Sequence, residues 1–337
     1  MSRYCLSGNW ITSNTDKMIC GNRPVYCSNT YTSMLAGDLP VIRLTNHTKV
    51  FGTLYFYVRM SQNKRKYLHE FDNIKFFYKP NIVKWIISDS KIPQTYTITA
   101  GVPENAEGYL LKVESDKRCN LYYSYKDFFK LPLQAGSGEN GWNISVILNP
   151  EIKEPFLDYL SEKAEINCNE NTAEISVLGE KIFFRAPEKT VIGCENNELN
   201  GKLEISEIPV YFSDILNSSE SYGFESVIRR SESLSSRFES VTPDKALDMA
   251  FKCISSEIDG AWKSPLTDHG NSAYSEPLLG WCNRFGNALG GWYDRCFEEL
   301  KYFAAKQSKS DKKRGFSSNK KHLETIAGHN SRFYGKG

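Results

Sequence analysis

Between Asp259 and Arg295 the chain reads Asp259-Gly260-Ala261-Trp262, then Asp268-His269-Gly270, then Gly280-Trp281-Cys282-Asn283-Arg284-Phe285-Gly286, then Gly290-Gly291-Trp292-Tyr293-Asp294-Arg295. This stretch holds three of the six tryptophans. An indole offers a flat apolar face that stacks on a sugar ring, while Asp, Arg, His and Asn hydrogen-bond ring hydroxyls. Such groups are usually gathered on connections held by rigid elements. Trp262, His269, Trp281, Arg284 and Trp292 are therefore the expected sugar contacts, and the expected partner is an oligo- or polysaccharide. Cleaving a glycosidic bond would also need two carboxyl groups, one on each side of the bond. The candidates are Asp268, Glu276, Asp294 and Asp259, and their spacing does not separate acid from base or retaining from inverting chemistry. A structural reading competes with this one. In it the tryptophans are core aromatics, and Arg284 and Arg295 pair with Asp259 and Asp294 to pin helix ends.

Helices must position these residues. Thr242-Pro243-Asp244 reads as a helix start, with Thr242 as cap, Pro243 in the first turn and Asp244 complementing the dipole. Ala246, Leu247, Ala250, Phe251 and Ile254 then form an apolar stripe expected to pack inward. A second helix is expected from Asn287 to Gln307, burying Leu289, Tyr293, Cys296, Phe297, Leu300 and Ala304. Upstream, residues 217–241 shift to Ser, Glu and Arg, while Phe224, Val227, Ile228, Leu234, Phe238 and Val241 keep roughly helical spacing. This is a Ser-rich linker with helical character, or a solvated loop.

From about Asp38 to Phe212 the pattern changes to short β-branched and aromatic runs punctuated by Pro, Gly and Asn, as in an antiparallel sandwich. Leu54, Phe56 and Val58 alternate with Tyr55, Tyr57 and Arg59, which predicts a half-buried strand. Further strands are expected at Ile74–Tyr78, Val83–Ile87, Thr95–Ala100, Tyr109–Glu114, Trp142–Leu148, Ala173–Leu178 and Lys181–Arg185. Gly179-Glu180 is expected to make a type II′ hairpin turn between the last two. The fold class is thus β plus α in several domains: a sandwich over 1–216, the linker over 217–241 and a helical part over 242–337.

The 42 Lys and Arg against 40 Asp and Glu leave a net charge of +2, which gives no field selecting nucleic acid or an anionic membrane. The basic run around Lys312-Lys313-Arg314 lacks interleaved aromatics and reads as a solvated loop. No segment is apolar for long enough to span a bilayer. The N-terminus shows no signal-like apolar run, so the chain as written reads as cytoplasmic. Nine cysteines without a C-x-x-C pair suggest neither a metal site nor a disulfide framework. Most are expected to be buried thiols, and no metal or cofactor is expected.

At Asn22-Arg23-Pro24-Val25-Tyr26 and Ala36-Gly37-Asp38-Leu39-Pro40 the chain resembles the opening of large proteins from gut-type polysaccharide degraders. Those proteins carry a glycosidase-associated β-sandwich, the domain of unknown function 4450, followed by a six-hairpin glycosidase-like domain. The later part of the resemblance rests on Asp259 to Trp262, His269-Gly270, Gly280-Trp281 and Gly291-Trp292-Tyr293-Asp294-Arg295. The resemblance implies a β-supersandwich packed against an (α/α) toroid, a role in breaking down complex glycans, and periplasmic or secreted proteins with an export signal upstream. The sequence departs from it at Cys282, where Arg is expected after Trp281. A toroid also needs about a dozen helices, or roughly 350 residues. The chain past Thr242 is about a quarter of that length, so the resemblance implies a truncated toroid, with catalytic carboxylates on helices beyond it. Two alternatives stay open: a non-catalytic carbohydrate-binding protein whose sandwich holds the ligand, and an inert fragment exposing its apolar helix faces.

Overall fold

The computed structural model describes residues 4–13, 18, 20, 21, 23–27, 32–46, 49–61, 64–130, 162–188, 190, 192–206, 208–267 and 285–306. Alternation at period two sets most of it: in Asn73–Lys79 the buried side chains are Ile74, Phe76 and Tyr78, and the residues between them are more exposed. Strands of this kind pair antiparallel into two large sheets, with few helices.

The first sheet has ten strands among the described residues. In spatial order they are β1 (Tyr4–Ser7), β2 (Trp10–Ser13), β8 (Asn73–Lys79), β9 (Ile82–Asp89), β10 (Ile92–Gly101), β11 (Gly108–Ser115), β19 (Val210–Leu216), β16 (Glu180–Arg185), β15 (Thr172–Val177) and β14 (Glu165–Asn169). The second runs β17 (Ile192–Glu195), β18 (Glu198–Ile205), β12 (Cys119–Lys126), β6 (Lys49–Ser61), β5 (Ile42–Asn46), β4 (Thr32–Ala36) and β3 (Arg23–Tyr26). Strands β7 (Lys64–Tyr67) and β13 (Phe129–Lys130) add to β6. The inner faces meet in one aromatic core that includes Phe56, Phe76, Trp85, Tyr123, Phe184 and Phe212. Trp85 still satisfies its indole N–H by donating to the Gly37 carbonyl at 3.0 Å.

Three expectations are corrected here. Strand β6 is buried on both faces, because Tyr55 and Tyr57 pack against Tyr67 rather than facing water, at ring separations of 6.1 and 5.6 Å. The β15–β16 turn is centred on Leu178-Gly179, one residue earlier than expected; φ is +57° and +81° there, the positive pair of a type I′ turn. The cysteines are not mostly buried: of the eight described, Cys20 and Cys27 are, while Cys5, Cys168 and Cys194 are exposed. The expected strand Trp142–Leu148 lies outside the described residues.

The expected linker contains helix α1 (Phe224–Ser235), which buries Val227, Arg230, Ser231 and Leu234. It lies on the sandwich where β10 presents Gly101; a Cβ there would run into Val227 and the Asn81 carbonyl. Helix α2 (Lys245–Ala261) starts two residues later than expected: Asp244 is the cap and accepts from the Ala246 amide at 2.9 Å. Its inward face is Asp248, Met249, Ser255, Ser256, Asp259 and Gly260. The predicted stripe points the other way, leaving Leu247, Phe251 and Ile254 exposed. After a short ribbon, β20 (Trp262–Lys263) and β21 (Leu266–Thr267), comes helix α3 (Tyr293–Lys306). The expected single helix from Asn287 is interrupted at Gly291, where φ is +75°, and Leu289, Tyr293, Phe297, Leu300 and Ala304 are exposed rather than buried. No helix among the described residues is long and apolar enough to cross a membrane.

Candidate functional site

Asp259 stands near the end of α2, one turn before Trp262, and its carboxylate is 4% exposed. Arg230 of α1 donates to Oδ2 at 2.7 Å, and Arg295 of α3 donates to Oδ1 at 2.6 Å. Burial alone would raise its pKa, but the two guanidinium groups outweigh burial and hold it below the ordinary carboxylate range. Three helices are thereby tied to one charge.

Arg230 extends the tie to the sandwich. It donates to the Tyr26 carbonyl of β3 at 2.8 Å and to Asn81 Oδ1, in the β8–β9 turn, at 3.0 Å. Next to Asp259, Gly260 lets α2 lie directly on Tyr26, since a Cβ there would fall inside the Tyr26 ring. Tyr26 belongs to the Asn22-to-Tyr26 segment. In that segment Arg23 stacks over Tyr4 and Phe76, at 4.6 and 4.7 Å, and pairs with Asp38 of the Ala36-to-Pro40 segment at 3.6 Å. The short segments singled out at the two ends of the sequence therefore meet at the junction of sandwich and helices.

Arg295 also places its guanidinium 5.6 Å from the Trp262 ring centre and 4.9 Å from that of Trp292, and Arg237 covers Trp292 at 4.7 Å. Arg237 further donates to the Gly290 carbonyl at 2.9 Å. Asp259, Trp262 and Trp292 are thus brought together. Trp262 is only 3% exposed, so its ring is packed rather than presented, whereas Trp292 is half-buried. Asp294 lies exposed in the first turn of α3. His269, Trp281, Arg284, Asp268 and Glu276 lie outside the described residues.

Sequence reading missed three features. Glu299, in the pair Glu298-Glu299 that reads as a solvated helix surface, is 1% exposed and lies against the Thr267 hydroxyl and amide. Arg230 reads as one of a serine-rich run, yet it ties α1, β3 and α2 together. The third is a groove of about 950 Å³ on the sandwich, lined by Arg185, Lys202, Glu204, Tyr211 and Tyr222 among others. Exposed Tyr211 packs its ring 6.1 Å from Phe224. Aromatic residues on alternate strand positions give no sign in the sequence of which edge they will line. Among the described residues, no group of three or more His, Cys, Asp or Glu could hold a metal ion.

No family model matches the chain, and no curated protein matches it. Among solved structures it is similar to a kojibiose phosphorylase from the human microbiome, with TM-score 0.44 and 8% identity over 77% of this chain and 41% of that one. It is also similar to a bacterial glucoamylase complexed with acarbose, with TM-score 0.41 and 8% identity over 90% and 52%. A family 81 glycoside hydrolase from Clostridium thermocellum gives 0.26 and 8% over 67% and 30%. The chain spans about half or less of each of these three structures. Likeness this distant decides neither fold nor activity.

Proposed function

We propose that this chain is part of a glycoside hydrolase-like protein of complex glycan degradation, in which the sandwich braces the first helices of an (α/α) unit. The observation that carries the reading is the junction, where one buried carboxylate, two guanidiniums and two indoles converge. Side chains of these types recognise sugar rings and hydroxyls, and here rigid helices hold them. The outward apolar faces, Leu247, Phe251 and Ile254 on α2 and Phe297 and Leu300 on α3, support it as the surfaces that further hairpins of a toroid would cover. In this reading Trp292, with Trp281, His269 and Arg284, contacts the saccharide, and Asp259 holds the frame. The catalytic carboxylates are not assigned.

A second reading is favoured by the Tyr211 and Tyr222 groove: the sandwich binds the glycan without cleaving it. Affinity electrophoresis of the full chain through gels containing soluble polysaccharides (an α-glucan, a β-glucan, a xylan, a pectin) separates the two. Retardation abolished by Trp292→Ala supports the junction. Retardation abolished by Tyr211→Ala with Tyr222→Ala, and untouched by Trp292→Ala, supports the groove. Mobility unchanged in every gel sinks both.

A further inference from the structure

The two sheets each end in an open edge strand on the same side of the sandwich: β14 closes the order of the first and β17 that of the second. They are held side by side from both ends. Asn197 accepts from the Ala164 amide at 2.8 Å and donates to the Glu162 carbonyl at 2.9 Å. At the other end the Ile192 amide donates to the Glu170 carbonyl at 3.1 Å. The bonded positions run in opposite directions along the two strands, which sets Cys168 opposite Cys194. Both are exposed, and partial burial together with the nearby Cys194 thiol raises the pKa of Cys168. Cys5, the other exposed cysteine described, is on β1 at the far edge of the first sheet.

We infer that Cys168 and Cys194 are a modification site, a cross-strand thiol pair that closes to a disulfide and fastens the free edge of one sheet to that of the other. Directly opposed strand positions hold Cβ atoms about 4.5–5.5 Å apart and a disulfide spans about 3.5–4.5 Å, so closure draws the two rims together by about 1 Å. The reaction consumes a low-molecular-weight disulfide such as oxidised glutathione. The thiolate of one cysteine attacks it, releasing one glutathione thiolate and leaving a mixed disulfide. The second cysteine, deprotonated, displaces the other glutathione. One S–S bond breaks and one forms; the protein thiols give up two electrons and two protons, and two glutathione thiols are produced. The product closes a loop through β15 and β16 and joins two strands that are sheet edges among the described residues.

The test is to incubate the folded full chain with oxidised glutathione, block remaining thiols with N-ethylmaleimide, and map peptides without reduction. The expected result is a Cys168–Cys194 linked peptide, absent from Cys168→Ser and Cys194→Ser, and a thermal midpoint raised by about 5 °C in the wild-type chain alone. Recovery of both cysteines as maleimide adducts would overturn the inference. So would recovery of each as a separate glutathione adduct, because paired thiols would have expelled the glutathione.

Discussion

The sandwich interior and the helix junction each bury an aspartate, and they shift its pKa in opposite directions. Asp214, on β19, faces the second sheet, where Tyr125 lies 2.8 Å from its Oδ2 and 3.0 Å from the Phe51 carbonyl. Tyr125 has one hydroxyl proton for two acceptors. Its hydroxyl donates to Asp214 or to the Phe51 carbonyl, not to both at once. Burial, partly offset by the Tyr125 and Tyr109 hydroxyls, raises the Asp214 carboxyl to about 7. At the junction Asp259 is nearly as enclosed, yet Arg230 and Arg295 keep it charged. What solvates a carboxyl in the interior decides the direction of its shift: hydroxyls only partly offset burial, and guanidiniums outweigh it.

The difference can be broken at either end. Asp259→Ala leaves two guanidiniums enclosed without their anion, and is expected to cost about 3–5 kcal/mol in urea denaturation followed by circular dichroism. A cost below about 1 kcal/mol would mean that the helices are held by something else. Asp214 sharpens the contrast through pH. Its folded form holds the proton more tightly than the unfolded chain does, so its contribution is full below about pH 4 and is lost as pH rises through about 7. The loss over that window is on the order of 4 kcal/mol, and Asp214→Asn should flatten it. Asp259 carries the opposite sign, its contribution fading only on acidification. Gly260→Ala forces α2 off Tyr26 and should cost about 1–3 kcal/mol, read from the same denaturation curves. Arg237→Ala removes one cover from Trp292 and should cost about 1 kcal/mol, with a shift in tryptophan emission.

The two regions also differed in how far the sequence disclosed them. Alternation located β8 to β11, β15 and β16 because a strand with one face inward repeats at period two, and the burial of the second face of β6 was missed because β7 and its following turn cover it. Helices α2 and α3 were placed but turned the wrong way, while α1 buries Val227 and Leu234 as its spacing predicts. Periodicity finds the apolar face, yet α2 docks by Ser255, Ser256, Asp259 and Gly260, where close approach and paired charge do the joining. For the same reason Asp259, Trp262 and Trp292 were marked as one cluster while Arg230, some thirty residues upstream, was not. Which guanidinium reaches a carboxylate is settled by packing, and linear spacing carries no trace of it. The opposition of Cys168 and Cys194 is of the same kind, arising from two sheets that pair with each other only at their rims.

Strand β19 is the last of the sandwich to be made and lies inside its sheet, with β11 on one side and β16 on the other. During synthesis β11 and β16 therefore lack their shared neighbour within the sheet until Val210–Leu216 has left the ribosome, and two apolar edges wait across an unfilled slot. Closing that slot pairs Gly108 with Ile215, residues more than a hundred positions apart, so the step that completes the barrier between folded and unfolded chain is also among the slowest to reach.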